Sequence, residues 1–145
     1  MTKKRAKPEE IFLSHSSKNR SVATRLARVL RAHGLPVWYS KTHIVGAQQW
    51  HDEIGKALAR CAWFVVLLTK ESVKSDWVKR ELLYALQQKR YGKRIVPVLL
   101  EPCELEELSW TLASFQIVDF TQNASEAYRE LLRVWGLRYD RKLRG

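Results

Sequence analysis

Apolar residues recur along the chain in two alternating rhythms, short continuous runs and helical stripes. The runs are Ile11–Leu13, Leu35–Tyr39, Ala62–Leu68, Arg94–Leu100 and Gln116–Phe120. Their length and their content of β-branched and aromatic residues predict strands. After the first run, Val22, Leu26, Val29 and Leu30 fall at i, i+4, i+7 and i+8, the spacing of a helix with one buried face, and Gly34 stops it. Val78, Leu82, Ala85 and Leu86 repeat the spacing, with Ser75 as cap and Asp76 in the first turn, where negative charge is favoured. Trp50, Ile54, Leu58 and Cys61 mark another helix. Ala127, Tyr128, Leu131, Leu132 and Trp135 mark a last one, closed by Gly136. A polar loop from Ser40 to Gln49 has Gly46 as its tight point, and residues 101–115 read as irregular or weakly helical.

Strands alternating with helices predict an α/β fold with a parallel sheet covered on both faces. Five strands favour the flavodoxin-like doubly wound order 2-1-3-4-5 over the Rossmann order. The run 62–68, apolar on both faces, suits the central strand. Pro36, near the start of the second strand, suits an edge. Pro97 removes a backbone donor from the fourth strand, so the neighbour on that side must be short or bulged.

The 145 residues make one domain, expected over 9–137, between a basic flexible tail at 1–8 and a basic C-terminal tail at 138–145. A net charge of +11 raises the possibility of a nucleic-acid partner. Part of that charge sits in the tails, and the rest is spread over helix faces, as at Arg25, Arg28 and Arg31. No aromatic-interleaved basic stripe or zinc-finger spacing accompanies it, so direct nucleic-acid contact is not expected. Glu101, Glu104, Glu106 and Glu107 form the acidic cluster of the chain. Cys61 and Cys103 read as free thiols in a reducing compartment. No apolar run approaches the ~20 residues of a membrane span, and the expected location is cytoplasmic.

In the order 2-1-3-4-5 the chain reverses direction between the first and third strands, and ligands bind at the carboxyl ends of strands beside such a point. Ser14, His15 and Ser16, together with Leu68, Thr69 and Lys70, bound that crevice. Trp77 and Glu81, four apart on one side of their helix and off its buried stripe, fall at the rim. Alternatively, Trp77 covers a neighbouring loop and Glu81 pairs with Lys or Arg. Other chemistries lack their motifs. There is no phosphate loop and no dinucleotide glycine turn. The third strand does not end in an Asp that could accept a phosphoryl group. There is no nucleophile elbow, and His15, His33, His43 and His51 show no metal-ligand spacing. Only His15 is placed in the crevice; the other three are expected to be solvated.

The blocks Ile11-Phe-Leu-Ser-His-Ser-Ser17, Val37-Trp-Tyr39, the loop through Gly46 to Trp50, and Ser75-Asp-Trp-Val-Lys-Arg-Glu-Leu82 resemble those of a TIR (Toll/interleukin-1 receptor) domain of the bacterial, NAD-consuming type. Arg94–Leu100 resembles its fourth strand, Pro97 included. The resemblance runs over about 9–137 in family order. It implies that Glu81 is the catalytic Glu and Trp77 the aromatic beside it. It also implies that His15 lines the pocket and that Trp50 closes the loop after the second strand. With Ser14 and Ser16 from the crevice, these are the candidate substrate-binding residues.

The implied activity is that of an NAD+ glycohydrolase or cyclase in bacterial immune signalling, active on self-assembly. NAD+ is then the substrate, and neither cofactor nor metal is implied. The implied partners are other TIR domains and further domains or subunits of a defence system. The alternative is a non-catalytic adaptor for homotypic assembly. One departure stands out: Ser40-Lys41 occupies the end of the second strand, where the family usually has Asp.

Overall fold

The computed structural model describes residues 9–40 and 47–143, with the backbone alone at 47–50. Strands β1 (Ile11–Ser14), β2 (Val37–Tyr39), β3 (Trp63–Leu68), β4 (Ile95–Leu99) and β5 (Val118–Asp119) pair in parallel as one sheet of order β2-β1-β3-β4-β5. This is the order the alternation of strands and helices predicts. Helices α1 (Arg20–Ala32), α2 (Ala47–Arg60), α3 (Asp76–Gln87), α4 (Leu105–Leu108) and α5 (Ala124–Arg133), with short 3-10 turns at Ser17–Asn19, Ser72–Lys74 and Trp110–Ser114, complete the described elements.

Side chains alternate between the faces of each strand, which makes two cores. Ile11, Leu13, Val65, Leu67, Val96 and Val98 join α1 and α5 on one face. Phe12, Phe64, Val66, Leu68 and Ile95 turn the other way, onto α2, α3 and Leu108 of α4. Parity therefore assigns each residue at a strand exit to one face, and this matters for the site.

Two helix ends follow from glycine. Gly34 (φ 90°) and Gly136 (φ 70°) take the left-handed conformation. Leu35 N then bonds to Leu30 O, and Leu137 N to Leu132 O, closing both helices with a Schellman motif.

Pro97 is accommodated by the shortness of β5. Leu99 O accepts from Phe120 N while Leu100 N bonds to Leu68 O, so odd-numbered residues of β4 turn their backbone groups toward β5. The β5 pairing begins at Val98, beyond Pro97, so the missing donor breaks no ladder bond.

Three expectations change. The loop expected to run to Gln49 ends earlier, because α2 begins at Ala47; Gly46 lies outside the described residues. The fifth strand is shorter than the apolar run 116–120. His33 is not merely solvated: its Nδ1–H donates to Val29 O at 2.8 Å, and its Nε2 accepts from Asp140 N at 2.9 Å. Tyr139 stacks on its ring and on Tyr128, so the segment after α5 is packed along the α1/α5 face at this point.

Candidate active site

The exit of β3 is laced in place by polar groups. Thr69 N donates to Ser72 Oγ at 2.8 Å and Ser72 N to Thr69 Oγ1 at 3.0 Å, while Thr69 Oγ1 donates to Asn19 Oδ1 at 2.7 Å. The chain then enters α3 at Ser75, whose hydroxyl accepts from Val78 N at 3.3 Å, as the capping pattern predicts. Helix α3 is thereby aimed across the carboxyl ends of β1 and β3.

Ser14 is the last residue of β1, and it shares the α3 face with Phe12 by parity. Its Oγ donates to Glu81 Oε1 at 2.7 Å. Both groups are withdrawn from water, Ser14 at 1% exposure and Glu81 at 7%. Glu81 forms no ion pair among the described residues; the salt bridges there are Arg60–Glu10 and Arg94–Glu9, both at the amino edge of the sheet. Burial pushes the Glu81 carboxyl up to about 7, with the Ser14 hydrogen bond acting against the rise. A buried carboxyl group whose charged and neutral forms balance near neutrality is a candidate for a functional position.

This corrects the sequence reading, which set Glu81 off the buried stripe. Val78, Glu81, Leu82 and Ala85 are all buried, at i, i+3, i+4 and i+7. The carboxylate completes the core arc of α3. Its spacing carried that information, and its polarity obscured it.

Trp77, one turn earlier, is half-buried against the same core. The His51 ring meets it edge-on at 6.0 Å, and the Arg80 guanidinium lies 5.7 Å from its centre. Sequence reasoning missed His51, which is four residues after the start of α2 and carried no motif.

His15 leaves β1 with the opposite parity. Its ring lies 6.1 Å from Tyr39, on the α1 side of the edge, and its Nδ1–H donates to Ser16 O at 2.8 Å. Its Nε2 is buried without a hydrogen-bond partner among the described residues. Desolvation lowers its pKa, with the Ser16 and Ser40 backbones opposing. Ser16 is buried, and its hydroxyl accepts from Lys18 N at 3.3 Å, capping the turn before α1. Trp50 lies in the first turn of α2, and its side chain is outside the described residues. The structure therefore joins Ser14 to Glu81, with Trp77 one turn away, and sets His15 and Ser16 in the adjoining turn.

Cleft size does not mark this position. A cleft of about 520 Å³ lies at the amino ends of β3 and β4, lined by Trp63, Lys93 and Phe115. Another, of about 420 Å³, lies beside Lys70 and Cys103. Glu81 lines neither. Cys61 is no rival nucleophile, since burial pushes its thiol up to about 12. Among the described residues, no cluster of His, Cys, Asp or Glu is arranged to hold a metal ion, and no helix is long and apolar enough to cross a membrane.

The parallel order β2-β1-β3-β4-β5 defines the class, a doubly wound α/β domain, and the dry carboxylate of Glu81 lies over its β1/β3 reversal. The chain belongs to the TIR domain family, whose model matches residues 11–132. It is 30% identical over 95 residues to the NAD(+) hydrolase PdTIR of Paracoccus denitrificans, covering 64% of this chain and 32% of that protein. It is 25% identical over 129 residues to the NAD(+) hydrolase TcpA of Theionarchaea archaeon, covering 86% and 39%. It is also 25% identical over 91 residues to the 2' cyclic ADP-D-ribose synthase BtTIR of Bacteroides thetaiotaomicron, covering 62% and 32%. The chain thus spans about a third of the length of these relatives. In fold it matches the TIR domain of the Toll-related receptor TRR-2 of Hydra magnipapillata, with TM-score 0.70 and 17% identity over 86% of this chain and 95% of that one. The TIR domains of the activated Roq1 resistosome match with TM-score 0.68 and 16% identity, covering 88% and 99%.

Proposed function

We propose that this domain cleaves nicotinamide from NAD+, with Glu81 as the catalytic carboxylate. The observation that carries the reading is the burial of Glu81 at the carboxyl edge, held by Ser14 and unpaired with any cation among the described residues. The relatives named as NAD(+) hydrolases and a cyclic ADP-ribose synthase support it.

One carboxylate suffices for this reaction. The nicotinamide nitrogen already carries positive charge, so the C–N bond breaks to release a neutral leaving group without a general acid. Ordinary glycoside hydrolysis, by contrast, uses two carboxyl groups. Positive charge develops on the ribose, and a fixed carboxylate in a dry site stabilises it. The cationic nicotinamide ring itself favours ionisation of Glu81, so substrate entry supplies the charge state the reaction needs. Trp77 offers a flat surface against a substrate ring. Water capture of the ribosyl cation gives ADP-ribose, and capture by a hydroxyl of the same molecule gives a cyclic ADP-ribose.

In this reading the protein works in the cytoplasm, in bacterial immune signalling, within assemblies of TIR domains. The test is nicotinamide release from NAD+ at high protein concentration, with products identified by mass. Release undiminished in Glu81→Ala would exclude the assignment. A second reading, a non-catalytic assembly module, draws on Ser40-Lys41 standing where Asp is usual. It requires NAD+ to survive at every concentration of assembled protein.

A further inference from the structure

The cleft of about 520 Å³ lies at the end of the sheet away from Glu81, and the shortness of β5 opens it. Strand β5 joins β4 only from Val98, so Ile95 and Val96 lie ahead of its reach. These two side chains turn to opposite faces of the sheet, Ile95 to the α3 core and Val96 to the α1/α5 core. Both line the cleft, which therefore opens at the edge of the sheet rather than on one face. Trp63 and Phe115 add aromatic walls, and Val134, 39% exposed, brings an apolar side chain from the end of α5. The Trp63 wall is preformed: the Trp135 ring meets it edge-on at 5.3 Å, and the Arg94 guanidinium lies 5.6 Å from its centre. Arg94 is itself held by Glu9 at 2.7 Å. The rim is charged unevenly. Lys93 and Arg133 are exposed and form no ion pair among the described residues. Glu130, the carboxylate that lines the cleft, accepts from the Gln116 side chain at 3.5 Å rather than from either cation.

We infer that this cleft is a second ligand site of the domain, taking a small planar aromatic acid. Its ring lies against Trp63 and Phe115, and its carboxylate meets Lys93 and Arg133. The volume suits such a molecule, since small-ligand clefts run from about 300 to 1,000 Å³ and combine an apolar lining with a few converging polar groups. Aromatic walls favour a flat ring over an aliphatic chain of equal area, because ring pairs gain from stacked and edge-on contacts. Two cations against one carboxylate select an anion, and hydrogen bonds from Lys and Arg to a carboxylate are strengthened by the charges. The site is separate from Glu81, so binding here and nicotinamide release there succeed or fail independently.

Titration of the full chain with naphthoate and with its neutral counterpart, naphthylmethanol, tests the inference, followed by calorimetry and by amide nitrogen–proton NMR spectra. Naphthoate should bind saturably, shift the signals of Trp63, Lys93 and Val134, and bind at least about tenfold more tightly than the alcohol at low salt. The gap should narrow at high salt. The double variant Lys93→Ala/Arg133→Ala should bring the acid to within about twofold of the alcohol and leave the alcohol's affinity unchanged. Val134→Trp, which fills the cleft, should weaken both by at least about tenfold. All three positions are exposed, so circular dichroism should not change. Equal affinity for acid and alcohol, shifts centred on Ser14 and Glu81, or no saturation below about 1 mM would overturn the inference. So would cleft signals that move with protein concentration and ignore the acid, for the cleft then holds a second copy.

Discussion

The hydroxyl of Ser14 donates to Glu81 Oε1 at 2.7 Å, joining residues 67 positions apart in the chain. This bond is the one polar contact the described residues give the Glu81 carboxyl, and it works against a burial that pushes the group up to about 7. The balance between the two sets how much of Glu81 is charged at neutral pH.

Replacing Glu81 with Gln should separate activity from stability. Loss of the charge is expected to lower nicotinamide release by about 10²–10³-fold, the scale seen when one preorganised electrostatic group is removed. The folded pKa, about 7, lies above the ordinary 4.5. The burial penalty is therefore absent below about 4.5 and fully felt above about 7. Wild type should lose stability relative to Glu81→Gln across that window, by up to about 3 kcal/mol. Urea unfolding of both proteins at pH 5 and pH 8 checks the sign.

The pH dependence of kcat/KM should rise through about pH 7 as Glu81 ionises. Ser14→Ala removes the contact that holds the carboxyl down, so the midpoint should move upward. The variant should fall several-fold below wild type at pH 7 and converge on it at alkaline pH. A profile with the same midpoint and a uniformly lower plateau would mean that Ser14 acts in some other way.

Trp77→Ala should act mainly on binding. Loss of a stacking surface costs about 1–3 kcal/mol, so KM is expected to rise roughly tenfold with a smaller change in kcat. Trp77→Phe should lie between the two. Initial rates over a range of NAD+ concentrations separate the parameters.

Tyr91→Phe probes the frame away from the site. The fully buried Tyr91 hydroxyl donates to Leu58 O at 2.7 Å, tying the end of α2 to the segment after α3. Arg90 also donates to Leu58 O, so that carbonyl stays paired in the variant. The expected cost is about 0.5–1.5 kcal/mol in urea unfolding, with the pH profile of activity unchanged.

Much of the fold is legible along the chain because its causes are local. Ser75 caps α3 through a bond to Val78, and Gly34 and Gly136 end helices through bonds spanning a few residues. The alternation of strands and helical stripes leads to the sheet order, since parallel strands need crossovers. The resemblance of the sequence blocks to TIR domains adds Trp77 and Glu81 as the residues to examine. Local pattern alone could not rank them, since a Trp–Glu pair one helical turn apart also suits an ordinary surface.

Tertiary structure decided the rest. Pro97 is harmless because β5 starts one step beyond it, a matter of how far a neighbouring strand reaches. His33 became a tether when Asp140 and Tyr139 arrived from the far end of the chain. His15 went to the Tyr39 side of the edge, while Ser14 went to the α3 side, through strand parity. Above all, the residue type of Glu81 is written in the sequence and its charge state is not. Desolvation depends on what encloses a group, and β1, which brings Ser14, meets α3, which carries Glu81, only in the packed fold.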